Sequence, residues 1–346
     1  MLIYADKCCG LLVFKINRYF GCAVGCLIFL ATAAVSAMAA EAGRAYPDRP
    51  LRLIVTYPPG GGTNVVARLV AQKLTDAWGQ AVIVDNRAGG GGIVGTDIVA
   101  KAAADGYTLL FGTSAGLAIQ PLLLGSAPYD PLKAFAPVSL LILDPQLLVV
   151  TGTLPANTLK ELIAHARANP GKLNYASSGL GAPNYMNMEG LKLTTGIDML
   201  HVPYQGTGPA MIDLLSGRIQ LMWSSMPSVL PHLKTGRLKA LAVGGTERVH
   251  NVPDVPTMKE AGLPAFEPNM PWYGIFVPAG TQKSIIDKLN AQLVRSLNEP
   301  ETIKFLAANG FEPHLSTPEE LGRHLRSEYE RLKKLIHAIG IQKRGL

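Results

Sequence analysis

The chain has 346 residues, 32 Lys and Arg against 25 Asp and Glu, and a formal net charge of +7. No Lys/Arg run or interleaved aromatic stripe accompanies that excess, which argues against nucleic acid and suits anionic small molecules. All four cysteines (Cys8, Cys9, Cys22, Cys26) lie in the first forty residues, so thiol chemistry has no place beyond them.

Residues 1–40 read as a signal peptide. Lys7, Lys15 and Arg18 supply early positive charge, an uncharged apolar stretch runs from Tyr19 to Ala40, and Ala37-Met38-Ala39 offers the small residues of a cleavage site. The same stretch is long enough to span a bilayer at roughly 20 residues, so a retained anchor is the competing reading. Cleavage after Ala39 or Ala40 predicts a periplasmic protein of about 300 residues, enough for two domains. It carries off every cysteine, and with them any disulfide or thiolate site.

Beyond residue 45, short β-rich runs alternate with helical patterns, which predicts βα units and a largely parallel sheet. Leu51–Tyr57 is a near-continuous apolar run, as in a strand buried on both faces. Asn64–Trp78 places Val65, Leu69, Val70 and Leu74 on one helical stripe and ends at Gly79. Strands are predicted at Ala81–Val84, Tyr107–Phe111, Leu173–Ala176, Met199–Val202, Ile219–Trp223, Lys239–Val243 and Trp272–Val277. Helices are predicted at Ile93–Ala103, Ser284–Leu297 and Glu301–Asn309. A last helix opens at Thr317-Pro318-Glu319-Glu320, where threonine caps, proline takes the first helical position and Glu320 closes a capping box.

Proline fixes φ and interrupts helix and sheet alike, so Asp144-Pro145 and Glu267–Pro271 are the natural crossings between lobes. They divide the chain into a discontinuous first lobe, 46–143 with 268–346, and an inserted second lobe, 144–267. A ligand is expected in the cleft between them.

One local signature recurs: a strand, a Gly/Ser/Thr turn, then a helix start. It occurs at Tyr57–Asn64, Tyr175–Gly181 and Tyr204–Pro209. Glycine lets backbone approach a ligand, free N–H groups at a helix start favour negative charge, and the hydroxyls of Ser177, Ser178 and Thr207 add donors. Three such loops predict carboxylate capture without bulk positive charge.

Two catalytic patterns compete. Gly112-Thr113-Ser114-Ala115-Gly116 matches G-x-S-x-G after a strand, as in an exported serine hydrolase with His201, His232, His314 or His324 as base. An elbow needs a helix at once, whereas Pro121 follows seven residues after Ser114. Gly60–Val65 partly imitates a dinucleotide fingerprint, with Asp85 ending the next strand, but Val65 replaces the third glycine. The Gly89–Gly92 run reads as a flexible turn. The histidines lack metal-ligand spacing, so no metal and no cofactor is expected.

The segments Tyr46–Pro50, Pro59-Gly60-Gly61, Asp85-Asn86-Arg87, Asp105–Leu109, Tyr129-Asp130-Pro131, Asn174–Ser177, His201–Tyr204, Pro253–Thr257 and Trp272-Tyr273-Gly274 occur in an order that resembles the Bug/TctC family. These are the extracytoplasmic solute receptors of tripartite tricarboxylate transporters, and the resemblance runs from Tyr46 to Ile341. It implies an α/β, type II-like two-lobed periplasmic binding fold, each lobe a mixed sheet flanked by helices. It further implies a monomer that closes on a small carboxylate and delivers it to a large and a small permease subunit. Presentation of the liganded form to a membrane signalling partner is the alternative. In the family, the first-loop amides and the loop matching Ser177–Asn184 hold the carboxylate. The candidate binding residues are Tyr57, Pro59, Gly60, Gly61, Asn64, Ser114, Ser177, Ser178, Asn184, Tyr185, Tyr204 and Thr207. Asn64, Leu117, Tyr185 and Gln205 depart from the family's usual aspartate, histidine, histidine and lysine. That implies a ligand less polar than citrate, an aromatic or hydrophobic carboxylate.

Overall fold

The computed structural model describes residues 46–59 and 62–340, so the expected export segment, Gly60 and Gly61 lie outside the described residues. In chain order the strands are β1 (Leu51–Val55), β2 (Val82–Asn86), β3 (Thr108–Thr113), β4 (Phe135–Leu143), β5 (Gln146–Thr151), β6 (Asn174–Ser177), β7 (Leu200–Pro203), β8 (Leu221–Ser225), β9 (Leu238–Val243), β10 (Trp272–Pro278) and β11 (Glu312–Pro313). The α-helices are α1 (Gly62–Trp78), α2 (Ile93–Ala100), α3 (Gln120–Leu124), α4 (Leu159–Ala168), α5 (Pro183–Thr195), α6 (Thr207–Leu215), α7 (Met226–Lys234), α8 (Lys283–Leu297), α9 (Pro300–Ala308) and α10 (Pro318–Ile339).

These strands form two mixed sheets, ordered β11-β4-β10-β3-β1-β2 and β7-β6-β8-β5-β9. In β1, Leu51, Leu53, Ile54 and Val55 are all buried, as the apolar run predicts. The expected stripe on α1 is rotated: Val66, Ala67, Val70, Ala71 and Leu74 are buried, while Val65 and Leu69 are only half so.

The parallel pairings follow the βα alternation: β1 with β2 and β3, β6 with β7 and β8. The largely parallel sheet expected from that alternation is nevertheless corrected. β10 runs antiparallel between β3 and β4, and β5 runs antiparallel between β8 and β9. Sequence reasoning missed β4 and β5 outright. Pro137 lies within β4, which is accommodated by register shifts against β10, and a proline in a strand reads as an interruption.

The chain passes from the first sheet to the second at Asp144-Pro145 and returns between Val243 and Trp272. The flanks of the two crossings are tied together: Asp144 N–H donates to Pro271 O at 2.8 Å, and Gly244 N–H donates to Gln146 O at 2.7 Å. α10 begins with the predicted capping box, Glu320 N donating to Thr317 Oγ1 and Thr317 N to Glu320 Oε2. Its Leu321 and Leu325 pack with Trp272 and Phe276 in the first core. About two turns on, Leu332 and Ile336 pack with Tyr175, Met186 and Leu191 in the second. Each fully buried leucine contributes about 2 kcal/mol, so this one helix braces both cores. The architecture is a two-lobed α/β fold.

Candidate functional site

A cleft of about 680 Å³ opens between the ends of the two sheets. Four helices of nine residues or more begin at it: α1 through Gly62 and Thr63, α5 through Pro183, α6 through Thr207 and Gly208, and α7 through its N-cap Ser225. Each presents backbone N–H groups that lack an intrahelical acceptor, and the positive end of its dipole. Among the described residues lining the cleft there is no Lys or Arg. Its attraction for anions therefore comes from backbone.

Of the residues singled out from sequence, Tyr57, Pro59, Ser114, Ser178 and Thr207 line this cleft. Gly60 and Gly61 lie outside the described residues. The remaining five turn their side chains elsewhere. Asn64, on the first turn of α1, donates to Pro58 O at 2.9 Å and accepts from Asn86 Nδ2 at 3.1 Å. Asn184, on the first turn of α5, accepts at Oδ1 from both the N–H and the hydroxyl of Ser178 and donates to Trp223 O at 3.3 Å. Both amides are buried, and both hold the loop that precedes their helix.

Ser177 is fully buried, its hydroxyl bonded to Gly179 O and paired with His201 Nε2 at 2.7 Å. His201 lies between the rings of Tyr175 and Tyr185, at 4.9 and 4.7 Å, and burial pulls its pKa down. Tyr185 belongs to the second hydrophobic core rather than to the cleft wall. Tyr204 donates its hydroxyl to Asp213 Oδ2 at 2.7 Å. Of the four positions where the chain departs from its family's usual residues, only Gln205 lines the cleft; Leu117 is buried in the first core. Tyr185 therefore adds no aromatic surface to the lining of this cleft.

Sequence reasoning missed the floor. Asp144 lines the cleft while only 1% exposed, and its Oδ2 accepts from Ser225 Oγ at 2.6 Å and from Tyr273 OH at 2.9 Å. Burial outweighs both hydrogen bonds and pushes this carboxyl up to about 6. The Tyr57 phenol, held by Thr113, is pushed up to about 12 by burial, and burial beside Asp144 also raises Tyr273 well above the ordinary phenol value. Gln146, Ser228 and His232 complete the polar lining, while Met211, Ile212 and Leu215 of α6 give an apolar wall. Asp144-Pro145 and Trp272-Tyr273-Gly274 were visible in the sequence, but only as a crossing and as a family landmark. Their meeting depends on the antiparallel placement of β10.

Ser114 follows β3 and a helical turn does start at once, contrary to expectation: Ala115–Ile119 is π-helical and leads into α3. Pro121 is tolerated because it sits at the start of α3, where its missing N–H costs nothing. The strand–turn–helix form of an elbow is thus present, and of the four histidines proposed as base only His232 shares the cleft lining with Ser114, with no hydrogen bond between the two among the described residues. His201 serves Ser177, His324 packs edge-on against Trp272, and His314 lies beside β4. Asp85, the acid of the imitated dinucleotide fingerprint, is bonded to Arg52 and Arg87, which hold its pKa below the usual carboxylate range against the opposing effect of desolvation. Gly89–Gly92 forms a 3₁₀ turn with positive φ at all four glycines, and a Cβ at Gly91 would collide with the Gln120 side chain.

Fold and cleft together define a two-lobed solute-binding protein. Residues 66–341 match the family described as "Tripartite tricarboxylate transporter family receptor", and the chain belongs to that family. Protein BugT of Bordetella pertussis is 40% identical over 314 residues, covering 90% of this chain and 95% of BugT. Among solved structures, Rpa4515 of R. palustris with adipate superposes with a TM-score of 0.81 at 34% identity, covering 86% of this chain and 99% of that one. The periplasmic binding protein BugD gives 0.79 at 34% identity, covering 86% and 100%. MatC from Rhodopseudomonas palustris with bound malate gives 0.77 at 33% identity, covering 84% and 100%.

Proposed function

We propose that this protein is an exported receptor that captures a small carboxylate by closing its lobes and passes it to the large and small subunits of a tripartite permease. The observation that carries the reading is the convergence of four helix N-termini on one cleft without a lysine or arginine. Such an arrangement binds an anion through backbone dipoles and N–H groups. The relatives solved with adipate and malate support the same class of ligand. Sheet membership supports lobes of 46–143 with 268–346, and of 144–267, moving about the paired crossings at Asp144 and Pro271. The protein acts as a monomer and performs no chemistry on its ligand.

The apolar wall of Met211, Ile212 and Leu215, in the same lining as Tyr57 and Tyr273, supports a ligand with a hydrophobic or aromatic body. That preference rests on these residues and not on Tyr185. A thermal-shift screen of the purified mature protein against mono-, di- and tricarboxylates tests the reading, because a ligand bound only by the folded state raises its midpoint by mass action. Small aliphatic or aromatic acids should shift it. Citrate outperforming every aromatic acid would remove the hydrophobic preference, and no shift by any carboxylate would remove the receptor reading.

A further inference from the structure

We propose that Asp144 is a specificity-determining residue that accepts a hydrogen bond from the ligand itself, so that the ligand carries an ammonium or hydroxyl donor beside its carboxylate. The inference rests on the carboxylate-receptor reading. Its basis is the asymmetry of one buried side chain. Oδ2 of Asp144 has two donors, Ser225 and Tyr273. Oδ1 is buried and has no hydrogen-bond partner.

Among the described residues none donates to Oδ1, and no Lys or Arg lines the cleft to supply a countercharge. The titratable groups that share the lining are Tyr57 and Tyr273, of which Tyr273 already donates to Oδ2, and His232 on α7. Gln146 accepts through its side-chain carbonyl from Asn187 at 3.4 Å. A carboxylate left with an unpaired oxygen in a water-poor site is costly, and closure on a second anion would add like-charge repulsion. A donor on the ligand removes both costs, most fully when it is cationic. Protonation of Asp144 is the other escape, but it creates an O–H that needs an acceptor, and it would tighten binding as pH falls.

Two matched series separate these outcomes: succinate, malate and aspartate, and 3-phenylpropanoate, 3-phenyllactate and phenylalanine, measured by titration calorimetry at pH 7.5. Within each series one hydrogen is exchanged for hydroxyl or ammonium. In whichever series binds, the wild-type protein should prefer the ammonium member over the unsubstituted acid by about tenfold or more, with the hydroxy acid between them. Asp144→Asn, an isosteric change whose folding is checked by the thermal midpoint of the empty protein, should cut that preference to about threefold or less. Unsubstituted acids that bind as tightly as their substituted partners, a preference that survives in Asp144→Asn, or wild-type binding that tightens as pH falls from 7.5 to 5.5, would each overturn the inference and leave the receptor reading standing. Failure of all six to bind would overturn both.

Discussion

Each lobe contains a parallel strand flanked by two parallel neighbours, followed by a loop at the cleft and a helix whose first turn bears an asparagine. In the first lobe these are β1, residues 56–59, α1 and Asn64; in the second, β6, residues 178–182, α5 and Asn184. Both amides turn back onto their loop, but they are anchored differently. Asn64 ties Pro58 sideways to Asn86 at the end of the neighbouring β2. Asn184 ties Ser178 across to the backbone of Trp223 in β8, and it occupies both Ser178 donors. The same device therefore holds a proline-bearing loop through its backbone carbonyl, and a serine loop whose side chain is already engaged. A binding loop is built as much by the residue behind it as by those facing the ligand.

The largest expected effect is at the more heavily bonded asparagine. Asn184→Ala leaves the Trp223 carbonyl and the Ser178 donors without their partner, and should cost about 3 kcal/mol in urea unfolding, together with at least tenfold weaker ligand binding. Asn64→Ala removes two bonds rather than three and should cost about 2 kcal/mol by the same measurement. Equal losses at the two positions would break the comparison.

The junction of the lobes offers a pH test. Asp144 is raised from the ordinary aspartate value to about 6, and Glu328 of α10, which accepts a hydrogen bond from Trp272 Nε1, is raised by burial to about 7. For a carboxyl raised on folding, the folded state holds the proton more tightly than the unfolded state. Its favourable contribution is complete below the unfolded pKa and is lost as pH rises through the folded one. The window is about pH 4 to 6 for Asp144 and about 4.5 to 7 for Glu328. Asp144→Asn and Glu328→Gln should therefore each stabilise the empty protein at pH 8 by on the order of 2 kcal/mol relative to pH 4, measured by chemical denaturation at both values. A gain of the same size at pH 4 would contradict the assignment.

The smallest effect is expected at the cleft serine of the hydrolase pattern. Ser114→Ala should change stability by less than about 1 kcal/mol and abolish nothing in an ester-cleavage assay, because the wild-type protein should show no turnover above buffer. Measurable activity that disappears in this variant would replace binding with catalysis.

Much of the scaffold was legible from local chemistry. Buried strands announced themselves as apolar runs, Gly79 and the Thr317–Glu320 box marked helix ends, and the strand–loop–helix signature located three of the segments that reach the cleft. Legibility stopped where a side chain's direction depended on distant partners. Tyr185 and Ser177 lie in or beside the right loop, yet their neighbours His201 and Tyr175 draw them into the core. Asp144, Ser225 and Tyr273 come from three segments as much as 129 residues apart and meet only because β10 returns antiparallel to β3 and β4.

The sequence alone determined the period of each element, its caps and the family to which the chain belongs, because these depend on residues a few positions apart. Tertiary structure decided strand direction, the inward turn of the two asparagines and the buried carboxyl at the cleft floor. Those depend on which surfaces remain uncovered once the sheets have formed, and a linear pattern does not encode that.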